Sequence, residues 1–268
     1  MGWYVKKYEP TSMELTYLDS NSWLLDFDGC RILLDPWLVG PLVFGNSPWL
    51  FKGTRPIERP IPGDIDLILL SQGLPDHAHP PTLEQLSRSL PVVGSAGAAK
   101  LARNLGYEEV VALSQRQIYT WGDRLQIQAF PGSPIGPTTV ENAYVISDLQ
   151  AGISLYYEPH GNHSPLLKEV PAIDVAIAPL VNIELPLVGP FIKGQESALE
   201  LVEWIKPKYI LPTAAGGDVN FEGLLVSILK ASGTPEEFQD CLREHQLETE
   251  VINPTPWTPT PLNLSMAI

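Results

Sequence analysis

Residues 65–80 read IDLILLSQGLPDHAHP, an apolar run that ends in a turn containing Gly and Pro. A run of this length without polar alternation is typical of a strand that is buried on both faces. The turn that follows the run carries Asp76, His77 and His79. The stretch therefore predicts a buried strand that places one acid and two imidazoles at its carboxyl end.

The composition predicts one large α/β domain with a substantial core. The chain has 268 residues, of which 44% are hydrophobic and 18% are charged. This length and balance favour a compact globular fold over a disordered chain. We predict a single domain over residues 1–252 and a Pro-rich tail over residues 253–268, whose prolines require an extended chain.

The charge and the cysteine usage limit the partners and the compartment. The formal net charge is −14, with 17 basic and 31 acidic residues, so most of the surface would repel a phosphate backbone and nucleic acid is not expected as a partner. Cys30 and Cys241 are too few for a disulfide framework. The first residues lack the apolar core of a signal peptide, and no apolar run approaches the roughly 20 residues of a membrane span. We expect a cytoplasmic protein without a membrane span.

Strands alternate with helices along the chain in two successive β-rich halves. Three short strands at residues 13–18, 22–27 and 31–34 open the first half, and Asp28-Gly29 is a hairpin signal between the last two. Helical spacing of apolar residues predicts helices at residues 81–90, 98–105, 195–205, 222–229 and 235–247.

Two apolar segments, residues 37–51 and 178–192, are broken by Gly and Pro so that neither a helix nor a single strand is expected over their whole length. Such segments either pack as small satellite cores, form a contact patch for a protein partner, or line a pocket for an apolar small molecule. On the third interpretation, Trp37, Phe44 and Trp49 are candidates for substrate or ligand contact.

The histidines suggest a metal site. Four of the five histidines, His77, His79, His160 and His163, fall in two short turns that each follow a predicted strand. If the ends of these strands meet, the turns would bring imidazoles together with Asp76, which is a ligand set suited to zinc, iron or manganese. The alternative is that polar histidines occupy two separate surface turns.

The turn after the run resembles the metal-binding loop of the metallo-β-lactamase superfamily, which has the motif H-x-H-x-D-H. The corresponding residues here are Gln72-Gly73-Leu74-Pro75-Asp76-His77, so the final Asp-His pair is present and both leading histidines are replaced. The three opening strands that end in Asp35-Pro36-Trp37 are also similar to the family's entrance. The resemblance implies an α/β fold, a four-layer αβ/βα sandwich.

The resemblance also implies which metal ligands remain. Positions of the first metal's histidines correspond to Gln72, Leu74 and Ser133, none of which is a good zinc ligand. Positions of the second metal correspond to Asp76 and His77, with His160 at the bridging position.

Two further positions complete this correspondence. Glu158 lies close to the bridging position, and Ala214 replaces the last histidine of the second metal. The resemblance thus leaves a degenerate site with three ligands for one zinc, iron or manganese ion, and a metal-free site is an equal alternative.

Two functions follow from this reading. The leading expectation is a non-hydrolytic binding protein, a pseudoenzyme, for an apolar small molecule or a protein partner. The alternative is a mononuclear metal-dependent hydrolase of an ester, a lactone or a related bond. In that case Asp76 or Glu158 would act catalytically as proton acceptor, while His79 and His163 would contact the substrate.

Overall fold

The structure is a computed structural model that describes residues 12–135, 139–186, 189–214 and 216–264. The first part of the described chain contains β1 (Ser12–Tyr17), β2 (Trp23–Phe27), β3 (Cys30–Leu34), β4 (Leu42–Val43), β5 (Lys52–Thr54), β6 (Leu67–Leu70), α1 (Pro80–Leu83), β7 (Val92–Gly94), α2 (Ala96–Asn104) and β8 (Val110–Ala112). The middle part contains β9 (Ile118–Trp121), β10 (Leu125–Ile135), β11 (Thr139–Asp148), β12 (Ile153–Tyr157), a 3₁₀ helix (Pro165–Glu169), β13 (Val175–Ala178), β14 (Asn182–Leu185) and β15 (Gly189–Ile192). The last part contains α3 (Gln195–Ile205), β16 (Tyr209–Pro212), β17 (Asn220–Glu222), α4 (Leu224–Ile228), β18 (Lys230–Ser232), α5 (Pro235–Glu244), β19 (Glu250–Val251) and β20 (Pro259–Asn263).

Two seven-stranded sheets form the centre of the molecule, in the orders β20-β1-β2-β3-β6-β7-β8 and β19-β16-β13-β12-β11-β10-β9. A large apolar core lies between the two sheets. A second core joins the first sheet to α1 and α2, and a third joins the other sheet to α3 and α5. This arrangement confirms the four-layer αβ/βα sandwich that the resemblance implies.

The burial of β6 explains its continuous apolar sequence. Leu67 and Leu69 belong to the core between the two sheets. Ile68 and Leu70 belong to the core beneath α1 and α2. Because side chains of a strand alternate between its two faces, a strand with a core on each side needs apolar residues at every position. The polar residues that follow β6 therefore leave the core at the edge of the sheet.

The helix predicted at residues 81–90 is wrong beyond Leu83, where α1 ends. The main-chain oxygen of Leu83 accepts hydrogen bonds from the hydroxyl of Tyr107 at 2.8 Å and from the guanidinium of Arg88. A helix that continued would use this oxygen for its own next turn, so the side-chain contacts favour an early end.

Within the described chain, no helix combines the length and the apolar character needed to cross a membrane.

The two apolar segments form small antiparallel sheets that a local reading of the sequence did not predict. In the first, β4 and β5 pair with β17 from much later in the chain. In the second, β14 and β15 form a hairpin that pairs with β18. The helix predicted at residues 222–229 is present as the shorter α4, Leu224–Ile228, because Glu222 ends β17.

The Pro-rich tail forms β20 after a turn at residues 256–257, and β20 is the edge strand of the first sheet. β20 pairs with β1 in antiparallel register, from Ser12 opposite Asn263 to Thr16 opposite Pro259. Leu262 is buried in the core between the sheets. Residues 265–268 of the predicted tail lie outside the described residues.

Candidate metal centre

Loops from the carboxyl ends of strands in both sheets meet at one point. Asp76 and His77 follow β6 of the first sheet, and His160 follows β12 of the second. One potential ligand atom from each of these three residues lies within 4.8 Å of the other two. The structure therefore brings together the three side chains that sequence reasoning selected as metal ligands.

His77 is held by a carboxylate on each side of its ring. Its Nδ1 lies 2.7 Å from Oδ2 of Asp35, and its Nε2 lies 3.1 Å from Oδ2 of Asp76. Burial by itself lowers the pKa of His77, but the charges of Asp76 and Asp35 outweigh burial and raise this pKa to about 10. Because a metal ligand must be deprotonated, Nε2 would have to release its proton before binding an ion.

Asp35 is the residue that fixes this geometry, and sequence reasoning assigned it no role. Its Oδ2 accepts hydrogen bonds from the hydroxyls of Ser71 at 2.5 Å and Tyr157 at 2.7 Å, and its Oδ1 accepts from the main-chain N–H of Ser71 at 2.7 Å. Asp35 thus contacts Ser71 and His77, which follow β6 of the first sheet, and Tyr157, which ends β12 of the second sheet. The Asp35-Pro36-Trp37 sequence is a signal that could have pointed to this residue. The sequence does not show that the backbone of Asp35 is left-handed, with φ of 44°.

Asp76 and His160 complete the cluster. Burial raises the pKa of Asp76, but the neighbouring His77 and His160 outweigh burial and lower it, so the carboxylate is charged at neutral pH. Burial and the adjacent charge of His77 lower the pKa of His160 to about 4, which keeps this imidazole neutral. Oδ1 of Asp76 and Nδ1 of His160 are buried without a hydrogen-bond partner among the described residues.

These properties fit one divalent metal ion. Buried polar atoms are normally paired with a hydrogen-bond partner. The unpaired Oδ1 of Asp76 and Nδ1 of His160, beside His77 as a third potential ligand, therefore indicate room for an additional partner. Two imidazoles and one carboxylate are ligands that zinc, iron and manganese accept. Next to them, Nδ2 of Asn21 lies 3.2 Å from Nε2 of His77, and the amide oxygen of Asn21 also has no partner in the described chain.

Glu158 lies behind His160 and supports its loop. Its Oε1 accepts from the hydroxyl of Ser133 at 2.6 Å, and its Oε2 accepts from the main-chain N–H groups of His160 at 3.0 Å and Asn162 at 2.8 Å. The side chain is fully buried, and burial raises its pKa. Both oxygens are thus engaged with the loop, which makes Glu158 a positioning group for His160 in this geometry.

The comparison with protein families agrees with this fold. A family model described as a beta-lactamase superfamily domain matches residues 14–214, which include every residue of the cluster. The chain belongs to the metallo-β-lactamase superfamily.

Several superfamily relatives resemble the chain over most of its length. A UPF0173 metal-dependent hydrolase of Methanopyrus kandleri is 24% identical over 255 residues, which cover 90% of this chain and 96% of the relative. The structure of a metallo hydrolase from Ignicoccus hospitalis superposes with a TM-score of 0.69 and 17% identity, covering 95% of this chain and 100% of that one. An isothiocyanate hydrolase from Delia radicum gut bacteria has a TM-score of 0.66 and 16% identity, covering 94% of this chain and 99% of that one.

The relatives bear on the two functions that the sequence left open. Curated relatives are named metal-dependent hydrolases, and these names support the hydrolase alternative better than the non-hydrolytic binding protein. The pseudoenzyme expectation has no support from them. At these identities the solved structures show the shared metallo-β-lactamase fold.

The three residues that the resemblance assigns to the first metal, Gln72, Leu74 and Ser133, lie in different surroundings. The hydroxyl of Ser133 donates to Glu158, and the side chain of Leu74 borders an apolar cavity. Gln72 is buried, and its Oε1 has no hydrogen-bond partner among the described residues. In the part of the chain that the structure describes, a single group of His, Cys, Asp or Glu side chains has metal-ligand spacing, and it is the cluster of Asp76, His77 and His160.

A cavity of about 590 Å³ opens directly beside the cluster. Asp76 and His160 form part of its wall, and Phe44 from the first apolar segment lines it. Both apolar segments contribute side chains, so the structure places them at the mouth of the candidate site.

The other side chains expected to contact substrate lie outside the lining of this cavity. Trp37 is buried, and its ring packs so closely against Gly53 that a Cβ atom at that position would overlap the ring. Trp49 is 67% exposed at the surface. The ring of His79 lies between the Thr82 hydroxyl and the main-chain oxygen of Pro41.

His163 also lies apart from the cluster and provides a test of acid stability. Its Nδ1 lies 3.0 Å from the hydroxyl of Tyr156, and burial, with the charge of Lys193, lowers its pKa from 6.5 to about 3. Between these two pKa values the unfolded chain binds a proton at His163 that the folded protein does not. The free energy of unfolding therefore decreases as the pH falls below 6.5.

We therefore expect His163→Asn to reduce the acid sensitivity of folding. Between about pH 7.5 and about pH 5, the variant should lose about 2 kcal/mol less of its free energy of unfolding than the wild type loses. Urea unfolding at both pH values measures this difference. His245→Asn, which removes a histidine at an exposed position, is the matched control. Equal pH dependence of His163→Asn and wild type would contradict the prediction.

Proposed function

We propose that this protein is a hydrolase that uses one divalent metal ion, held by Asp76, His77 and His160, to cleave an ester or lactone bond. The observation that carries the proposal is the spacing of the three ligand atoms, all within 4.8 Å, beside a cavity that can admit a small molecule. Three protein ligands with an open position are the arrangement of catalytic zinc sites.

Each residue has a separate part in this proposal. An ion bound here would supply Lewis acidity and a bound water of lowered pKa. Asp35 holds Nδ1 of His77, so that Nε2 faces the other ligands. Asp76 lines the cavity, and its carboxylate is the group to which we assign acceptance of a proton during attack.

Glu158 has a positioning role in this proposal and does not touch the substrate. The bonds from its Oε2 to two main-chain N–H groups hold the loop that carries His160. Because Glu158 is buried and both of its oxygens are bonded to the loop, we assign it no proton transfer.

Metal content and hydrolysis, measured together, test the proposal. The wild type, His160→Ala and His163→Asn would each be purified without chelator and then supplied with zinc, iron or manganese. We expect one ion per chain, and hydrolysis of at least one member of a panel of uncharged esters and lactones, in the wild type and in His163→Asn. Both properties should be lost in His160→Ala, because that variant lacks one ligand. His163 is the matched control because it lies in the same loop and outside the cluster.

Two results would contradict the proposal. Wild-type protein that binds no ion under metal-replete conditions would remove the metal-dependent hydrolase. Two ions per chain that are retained in His160→Ala would show that other residues hold the metal.

A further inference from the structure

The cavity beside the cluster has an aromatic wall. Phe44, Phe51 and Phe221 all line it, and they pack in series with ring centroids 5.4 Å and 5.6 Å apart. The small sheet of β4, β5 and β17 supports this wall, because it joins the segments from which the rings extend. A wall built from packed rings on a paired sheet keeps a defined shape.

Further apolar residues line the cavity around these rings. They come from the hairpin of β14 and β15 and from α4, and they include Ile183, Leu185, Ile192, Leu225 and Val226. The polar residues of the lining are Ser20, Asn21, Asp76 and His160. The cavity therefore combines extensive apolar surface with a small polar group at the cluster.

The charge of the lining selects against anions. None of the described residues that line the cavity is Lys or Arg, and Asp76 places a carboxylate at the polar group. An anionic group among the apolar side chains, away from the cluster, would lose its hydration without gaining a cationic partner, which is costly. The net charge of −14 would also oppose its approach.

We infer that the cavity binds an uncharged ester or lactone with a long linear acyl chain, whose carbonyl lies at Asp76 and His160. This inference rests on the proposed hydrolase function and specifies its substrate class. The chain would lie between the aromatic rings and the aliphatic residues of the second small sheet. Hydrolysis would add one water: the bond from carbonyl carbon to alkoxy oxygen breaks, the water oxygen completes the acid, and the alkoxy oxygen takes a proton.

The size of the cavity agrees with such a substrate. Sites for small organic ligands have volumes of roughly 300–1,000 Å³ and are lined mainly by apolar side chains with a few polar groups. At about 590 Å³, this cavity lies within that range. Leu74, at a position where the superfamily motif has a metal-binding histidine, adds to the apolar lining.

A chain-length series tests the inference. The probes are p-nitrophenyl esters of butyric, hexanoic, octanoic and decanoic acid, together with p-nitrophenyl monoesters of dicarboxylic acids of the same lengths. We expect kcat/KM of the metal-loaded enzyme to rise by about fourfold for each added CH₂ while the chain is being buried. The terminal carboxylate of the second set should abolish this rise. A flat or falling series for the uncharged esters would overturn the inference.

A charge placed in the wall sharpens the test. Leu225 lines the cavity, whereas its neighbour Leu224 is 54% exposed and lies outside the lining. Leu225→Arg should remove the dependence on chain length for uncharged esters and increase kcat/KM for the carboxylate-terminated esters. Leu224→Arg is the matched control and should behave like the wild type. Equal behaviour of the two variants would count against the cavity as the binding site.

A binding measurement separates this inference from the proposed function. The uncharged fluorophore N-phenyl-1-naphthylamine would be titrated into the wild type and both variants, with decanol as competitor. If no ester is hydrolysed, the proposed function fails, while fluorophore binding that is weakened tenfold or more in Leu225→Arg alone supports the apolar ligand class. If esters are hydrolysed but the fluorophore binds equally to all three proteins, or to none, the inference fails and the hydrolase remains.

Discussion

Asp35→Ala is expected to weaken metal binding by about 10- to 100-fold and to remove most hydrolytic activity, although Asp35 is not a ligand in our proposal. Its carboxylate holds Nδ1 of His77 at 2.7 Å and thereby directs Nε2 toward Asp76. Without Asp35 the ring loses this restraint and gains freedom to rotate. The free energy of unfolding should also fall by several kcal/mol, since the buried donors of Ser71, Tyr157 and His77 lose their acceptor, at about 1–3 kcal/mol each.

Two further variants separate the roles of Asp35. Asp35→Asn keeps the shape and one acceptor oxygen, so it should retain more stability than Asp35→Ala while still binding metal less tightly. Tyr157→Phe removes a single hydrogen bond to Asp35 and leaves the contact with His77, so metal affinity should change little. Zinc titration with a competing chelator and urea unfolding give the two quantities. Wild-type metal affinity in Asp35→Ala would contradict the positioning role.

Asp19→Asn is expected to lower the free energy of unfolding by about 3 kcal/mol, because it leaves the buried guanidinium of Arg55 without its counter-charge. Oδ2 of Asp19 lies 2.8 Å from Nη1 of Arg55 and accepts from the indole N–H of Trp257 at 2.8 Å. Oδ1 accepts from the main-chain N–H of Asp218 at 2.7 Å. Asparagine tolerates the left-handed backbone at this position, where φ is 76°, so the change removes the charge with little backbone strain.

The surface ion pair of Lys52 and Glu222 provides the control for this second effect. Its N–O distance is 2.7 Å, similar to that of Asp19 and Arg55, but its side chains are 34% and 62% exposed, against 6% and 1% for Arg55 and Asp19. Glu222→Gln should therefore change the free energy of unfolding by about 0–1 kcal/mol. Urea unfolding of both variants at neutral pH makes the comparison. Equal losses would show that burial does not decide the contribution of these pairs.

The resemblance to the superfamily predicted the fold and suggested the ligands of the candidate metal site, while local patterns predicted the strands that lead to them. The apolar run of β6 identified a strand buried on both faces, and the two histidine turns each followed a predicted strand. The superfamily motif then brought Asp76, His77 and His160 into one hypothesis. Their spacing in the structure agrees with that hypothesis, while their roles stay a proposal.

The features that the sequence did not reveal depend on contacts between distant segments. β4 and β5 need β17 as a partner, and the hairpin of β14 and β15 needs β18, so the apolar segments gave no clear strand pattern on their own. The end of α1 depends on Tyr107 and Arg88, which both donate to the main-chain oxygen of Leu83. The role of Asp35 depends on its contact with His77, which lies 42 residues away in the sequence.

The pairing of β20 with β1 has a consequence for biosynthesis. The neighbour that covers the outer edge of β1 is made more than two hundred residues after β1 itself, since β1 ends at Tyr17 and β20 begins at Pro259. Until β20 is made, the nascent chain exposes an open strand edge, which is a template for association with other chains. Pairing with β20 closes that edge, and the bond between Trp257 and Asp19 anchors the loop that precedes Asn21.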